Sequence, residues 1–114
     1  NRVSIGEYTI IAGHGKVIIG DCTIIAGQCY ISSANHIFLL GEKIRFQGES
    51  AKGVVIGENV WIGGRTFMLD GISIGDGCVI GAGSFVNKDM PPNTFCYGNP
   101  CRVIKTRESM GETS

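Results

Sequence analysis

The chain has 114 residues, ten acidic and ten basic side chains, and no net charge. That length sets a single domain, and the balanced charge excludes a nucleic-acid or polyanion binder, which needs a basic surplus. No apolar run reaches ~18 residues, so nothing in the sequence spans a membrane. The chain opens on Asn1 with no signal-peptide pattern, which reads as a trimmed or recombinant segment of a cytoplasmic protein. Five cysteines (Cys22, Cys29, Cys78, Cys96, Cys101) form an odd set without CxxC spacing. They are expected to be reduced, mostly buried thiols rather than disulfides or zinc ligands.

Eighteen glycines against three prolines is the unusual count, about twice the ordinary glycine share of roughly 7%. In chain order, aliphatic anchors stand at Ile5, Ile11, Ile19, Ile25 and Ile31, each followed by a small residue: Gly6, Ala12, Gly20, Ala26 and Ser32. Thr9, Gly15, Thr23, Cys29 and Asn35 fill the fifth slot of these units. Two breaks interrupt the register. Ile11 and Ile19 are too far apart by two residues, which places an insertion at Lys16 to Ile18. Between Ile31 and Ile56 a loop over 37–53 leaves the repeat. From Ile56 the chain cuts cleanly into IGENVW, IGGRTF, MLDGIS, IGDGCV, IGAGSF and VNKDMP. The first slot is then Ile56, Ile62, Met68, Ile74, Ile80 and Val86, and the fifth is Val60, Thr66, Ile72, Cys78, Ser84 and Met90.

A period of six matches neither the 3.6 of an α-helix nor the plain alternation of a strand. It suits a three-sided coil in which each side is a short strand with one large aliphatic residue pointing inward. The residue after the anchor must be small where the backbone bends toward the next coil. The fifth residue fills a narrow corner of the prism. Stacked coils share one aliphatic column, as neighbouring units do in repeat proteins, and about five coils are expected. So few coils do not hide both ends, which points to self-association. The period alone leaves the handedness open.

Three motifs, IGENVWIG, IGAGSFVNKDMP and GNPCRVIK, make the chain resemble the hexapeptide-repeat acetyltransferases, in particular the sugar, polysaccharide and xenobiotic O-acetyltransferases. The resemblance implies an all-β fold, a left-handed parallel β-helix over residues 1–105 followed by a polar tail at 106–114. It also implies a homotrimer with active sites between subunits, and acetyl transfer from acetyl-CoA to a hydroxyl or amine without a metal. The segment ISSANHIF, at the break in the repeat, is similar to the family's catalytic-histidine segment. On that match His36 is the general base, with Asn35 beside it. An imidazole of pKa near ~6.5 can take a proton from an attacking alcohol at neutral pH. The slot pattern turns Asn35 inward and His36 outward. His14 reads as a surface residue beside two flexible glycines, and Asp21, Glu49 and Asp70 stand unranked as carboxylates that could orient His36.

On the cofactor side, the resemblance places Gly63, Gly64, Ala82 and Gly83 along the pantetheine arm of acetyl-CoA. Trp61 becomes an outward-facing wall beside the thioester. Lys88, Arg102 and Lys105, with Asn87 where the family usually has Thr, meet the CoA phosphates through charge-assisted hydrogen bonds. Three departures stand out: Asp70 where Pro is frequent, Cys96-Tyr97 in place of small residues before GNP, and a short tail without an obvious helix.

Two other solenoid functions fail on residue content. A carbonic anhydrase on this coil needs three histidines around zinc, and the chain has two. An ice-binding solenoid needs a flat threonine face, whereas Glu58, Arg65 and Asp76 occupy the outward slots. A non-catalytic trimeric scaffold is the remaining alternative, since a repeat specifies shape rather than activity. The loop after His36 mixes Phe38, Leu39, Leu40 and Phe46 with Glu42, Lys43, Arg45 and Glu49. A sugar or saccharide hydroxyl is the favoured acceptor, an amino-sugar amine the second and a xenobiotic the third.

Overall fold

The computed structural model describes residues 1–111; the last three residues of the polar tail lie outside the described residues. The first coil is β1 (Ser4–Ile5), β2 (Ile10–Ala12) and β3 (Val17–Ile19). The second is β4 (Ile24–Ile25), β5 (Tyr30–Ser32), an excursion, and then its third side. The excursion contains β6 (Asn35–His36), the single-turn α1 (Ile44–Gln47) and β7 (Glu49–Ser50), and the coil resumes at β8 (Val54–Ile56). A third coil follows with β9 (Trp61–Ile62), β10 (Phe67–Met68) and β11 (Ser73–Ile74), and a fourth begins with β12 (Val79–Ile80) and β13 (Phe85–Val86). Met90 closes the fourth coil through a single parallel bridge to Ile74. Finally β14 (Thr94–Tyr97) extends the first face, and β15 (Arg102–Thr106) folds back antiparallel against it.

Three sheets form the faces of the prism, in the orders β1-β4-β9-β12-β14-β15, β2-β5-β10-β13 and β3-β8-β11. Every pairing between coils is parallel and in register, so Ile25 lies against Ile62 and Ile62 against Ile80. The inward column Ile25, Ile31, Ile56, Ile62, Met68, Ile74, Ile80 and Val86 is buried. The fifth-slot hydroxyls serve the corners. Thr23 donates to Gly57 O at 2.8 Å, Thr66 to Gly63 O at 2.8 Å and Ser84 to Gly81 O at 2.6 Å. A small side chain there both fills the corner and satisfies a carbonyl that the coil leaves unpaired.

The corner between the first and second faces needs left-handed backbone in each coil: φ is 62° at Tyr8, 60° at Gln28, 57° at Arg65 and 75° at Gly83. Coil-to-coil contact sets a different requirement at Gly63, where a Cβ would lie 2.5 Å from the amide nitrogen of Ala82.

Three expectations are corrected. The extra residues of the first coil sit in the bend at Gly13–Lys16, while Val17 and Ile18 belong to β3 and pair with Val54 and Val55. Asn35 does not fill an inward corner. Ser33 takes that place, fully buried with its hydroxyl on Ala12 O at 2.9 Å, and Asn35 is exposed on β6. The chain therefore leaves the prism before Asn35, and the excursion is a hairpin in which β6 and β7 pair antiparallel. The aliphatic column also does not extend to the first coil at full depth. Ile5 and Ile11 are 48% and 42% exposed because no coil stacks beyond them.

Candidate active site

His36 stands at the base of the hairpin, opposite Glu49 in the β6–β7 ladder, which is extended by the Ile37 amide donating to Gly48 O at 3.1 Å. Its Nε2 is 3.8 Å from Oε2 of Glu49, and the other carboxylate oxygen, Oε1, is 3.4 Å from Nδ1 of His14. One carboxylate thus faces both histidines of the chain. His14 reaches it from the bend that holds the extra residues of the first coil, so the two irregularities of the repeat meet at one place. Of the three candidate carboxylates, Glu49 is the one beside His36. Asp21 instead accepts from the N-terminal amine at 2.6 Å, and Asp70 accepts the amides of Lys52 at 2.8 Å and Gly53 at 2.7 Å. Where the resemblance led to an expected Pro, Asp70 ties down the chain as it re-enters the coil.

Asn35, His36 and Glu49 border a cleft of 480 Å³ whose floor includes Tyr30 and Phe67. These two rings stack with centroids 4.9 Å apart and planes 9° from parallel, and Phe85 continues the ladder at 5.7 Å from Phe67. The ladder follows from the parallel register, which aligns the outward residues of β5, β10 and β13. On its other side, His36 borders a smaller hollow with Ile37, Phe38 and Leu39 of the excursion.

The residues assigned to the cofactor fall into three groups. Trp61, Gly63, Gly64 and Ala82 line one apolar groove on the first face, with Phe95 at its end. The groove continues round the corner past Gly64 and Ala82 toward Tyr8 and Arg65. Trp61 points outward and is 55% exposed. A Cβ at Gly83 would touch nothing within 4 Å, so the surface above it is open. Arg102 and Lys105 lie exposed on β15, paired with Tyr97 and Phe95 at the edge of the same sheet. Asn87 and Lys88 follow β13 at the next corner of the prism, both exposed. The His36 cleft and the Trp61 groove share no lining residue. Among the described residues, no group of three or more His, Cys, Asp or Glu side chains is arranged to hold a metal ion. No helix among them is long and apolar enough to cross a membrane.

A parallel three-sided coil with six-residue sides and one hairpin excursion defines a hexapeptide-repeat protein. Residues 53–88 match the family model described as bacterial transferase hexapeptide (six repeats). Over 52 residues the chain is 56% identical to the galactoside O-acetyltransferase of Escherichia coli, an overlap that takes in 46% of this chain and 26% of that protein. Among solved structures, it is similar to a maltose O-acetyltransferase from Clostridium difficile, with 43% identity and a TM-score of 0.78 over 95% of this chain and 60% of that one. It is also similar to a galactoside acetyltransferase in complex with coenzyme A, with 38% identity and a TM-score of 0.80 over 94% of this chain and 56% of that one. Over residues 53–88 the chain carries the hexapeptide repeat of the bacterial transferases, and its fold is a left-handed parallel β-helix like that of the solved acetyltransferases. It spans about a quarter of the Escherichia coli relative and a little over half of the solved chains.

Proposed function

We propose that the chain transfers the acetyl group of acetyl-CoA to a hydroxyl of a sugar or saccharide, with His36 as general base. The observation that carries this reading is the open cleft at the break in the repeat, where an accessible imidazole stands above an aromatic floor. Sugars present flat C–H faces to aromatic rings, and Tyr30 and Phe67 offer such a surface beside the base. The relatives support the choice of an oxygen acceptor, since they are named as galactoside and maltose O-acetyltransferases.

In this reading a ring nitrogen of His36 accepts the acceptor's hydroxyl proton as its oxygen attacks the thioester carbonyl. The C–O bond forms, the C–S bond then breaks, and the imidazolium returns the proton to the departing sulfur, so charge balances over the cycle. Asn35 lines the same cleft and supplies an amide for a second acceptor hydroxyl. The Trp61 groove is assigned to the pantetheine arm, and Lys88, Arg102 and Lys105, with Asn87, to the phosphates. Because cleft and groove lie apart on one chain, the complete site is assigned to the junction of two copies in a homotrimer.

The deciding experiment follows free CoA release from acetyl-CoA across a panel of sugars, amino sugars and chloramphenicol-like alcohols. A sugar hydroxyl should be the best acceptor, and His36→Ala should lower turnover by roughly 10²-fold or more. Preference for an amino sugar or a xenobiotic would reassign the acceptor. Silence across the panel, with no CoA binding, would leave a trimeric scaffold.

A further inference from the structure

We infer that the acceptor is a saccharide joined to an apolar aglycone, with its sugar in the cleft on one side of His36 and its aglycone in the apolar hollow on the other. The inference rests on the reading of His36 as the base and deepens it by naming the second half of the acceptor. Two hollows meet at β6, and Asn35 and His36 border both. The larger adds the hydroxyl-binding groups of Ser32 and Glu49 over its aromatic floor. The smaller, of 290 Å³, adds Ile37, Phe38 and Leu39. A cavity of roughly 150 Å³ between such side chains holds one benzene ring, so an aryl group or a short alkyl chain fits there. An acceptor whose hydroxyl meets His36 therefore finds a polar surface on one side and an apolar one on the other.

The apolar wall has a fixed shape. Gln47, the last residue of α1, turns its side-chain amide back across the excursion. Its Oε1 accepts the Leu39 amide at 2.8 Å, and its Nε2 donates to the carbonyls of Leu39 at 2.9 Å and Glu42 at 2.8 Å. The Ile37 amide donates to Gly48 O, just before β7. The backbone on both sides of Phe38 is thus pinned, yet the Phe38 and Leu39 side chains are each 74% exposed. Apolar side chains held in water gain free energy when a ligand covers them. Little ordering is lost on binding, because the backbone is already set. A free sugar leaves the wall bare, whereas an aglycone covers it. These contacts lie away from the reacting oxygen, so they favour ground and transition state alike and act on KM rather than kcat.

The test uses acetyl-CoA as donor and compares methyl with phenyl β-galactoside as acceptors for the wild type, Phe38→Ser, Leu39→Ser, Gln47→Ala and His36→Ala. The phenyl aglycone should raise kcat/KM roughly tenfold or more over the methyl one, through a lower KM. Phe38→Ser and Leu39→Ser should each bring that phenyl-to-methyl ratio down by about threefold to tenfold. Gln47→Ala should lower it too, by releasing Leu39. Saturation-transfer NMR with CoA present supplies a readout independent of turnover: the aryl protons should receive the strongest transfer and lose it in Leu39→Ser. Equal kcat/KM for the two glycosides in the wild type would overturn the inference. A ratio left unmoved by both serine variants would overturn it as well, and a lower mass of those variants in sedimentation would then assign the wall to a contact between copies. If His36→Ala stays active, the base reading falls and this inference with it. If His36→Ala is inactive while the wild type ignores the aglycone, only the aglycone assignment falls.

Discussion

Asp70 and Gly53 are joined across the re-entry point of the hairpin: Oδ1 of Asp70 accepts the Gly53 amide at 2.7 Å, while Oδ2 takes the neighbouring Lys52 amide at 2.8 Å. Asp70 is buried, and Gly53 has φ 93° with a Cβ position 2.6 Å from the carbonyl oxygen of Lys16. The Gly53 backbone therefore accepts no side chain, and its amide is met by a carboxylate of the next coil. The geometry of β7, and of Glu49 on it, depends on this junction.

Asp70→Ala should consequently loosen the hairpin more than the coil. Two amides lose a charged acceptor, at a cost of about 1.5–3 kcal/mol for such a bond. Hydrogen exchange should rise first at 35–53, and acetyl transfer should fall with it. Protection unchanged over that segment would show that the carboxylate does not anchor it.

Trp61 is the only tryptophan and it lines the assigned pantetheine groove, so its fluorescence should respond to CoA. Trp61→Ala should weaken CoA binding by roughly threefold to tenfold, the scale of one lost aromatic contact. Lys88→Ala and Arg102→Ala should weaken it as well and flatten its salt dependence, as expected for phosphate contacts. Calorimetric binding of CoA with no change in tryptophan emission would move the cofactor out of this groove.

The core makes a separate stability prediction. Ile62 is fully buried between Ile25 and Ile80. Ile62→Ala should cost about 2–5 kcal/mol, read as a lower midpoint in urea unfolding. Ile5→Ala, at the exposed end of the same ladder, should cost much less.

Thiol chemistry separates Cys22 from the rest. Cys22 is exposed, and the other four cysteines are buried. Burial pushes the Cys78 thiol up from 9.0 to about 12, against a lowering by its contact with Thr94, and burial raises Cys101 too. A disulfide reagent at neutral pH should label one thiol promptly in the folded chain and five after unfolding. In alkali the unfolded chain ionises its thiols from about pH 9, while folded Cys78 keeps its proton. The contribution of Cys78 to stability should therefore be constant below that pH and fall as pH rises from about 9 toward 12. A flat stability profile across that range would contradict the burial of Cys78.

The coil was legible in the sequence because one physical rule repeats in most units: an aliphatic inside, a small residue at the bend, and most often a small or hydroxyl residue in the corner. Thr66 and Ser84 occupy that corner slot for a reason that the pattern only partly reveals, since their hydroxyls close on carbonyls three residues back. The rule fails where the period fails. At Asn35 the slot count continued the coil, while the chain had already turned out into the hairpin and Ser33 had filled the corner.

The sequence by itself determined the prism, its inward column, the outward Trp61 and the presence of a break after Ile31, because these depend on local spacing and side-chain size. Only the tertiary structure decided which carboxylate stands by His36. Glu49, His14 and His36 are scattered along the chain, and nothing local distinguishes Glu49 from Asp21 or Asp70. Antiparallel pairing of β6 with β7 and stacking of the first two coils bring the three together.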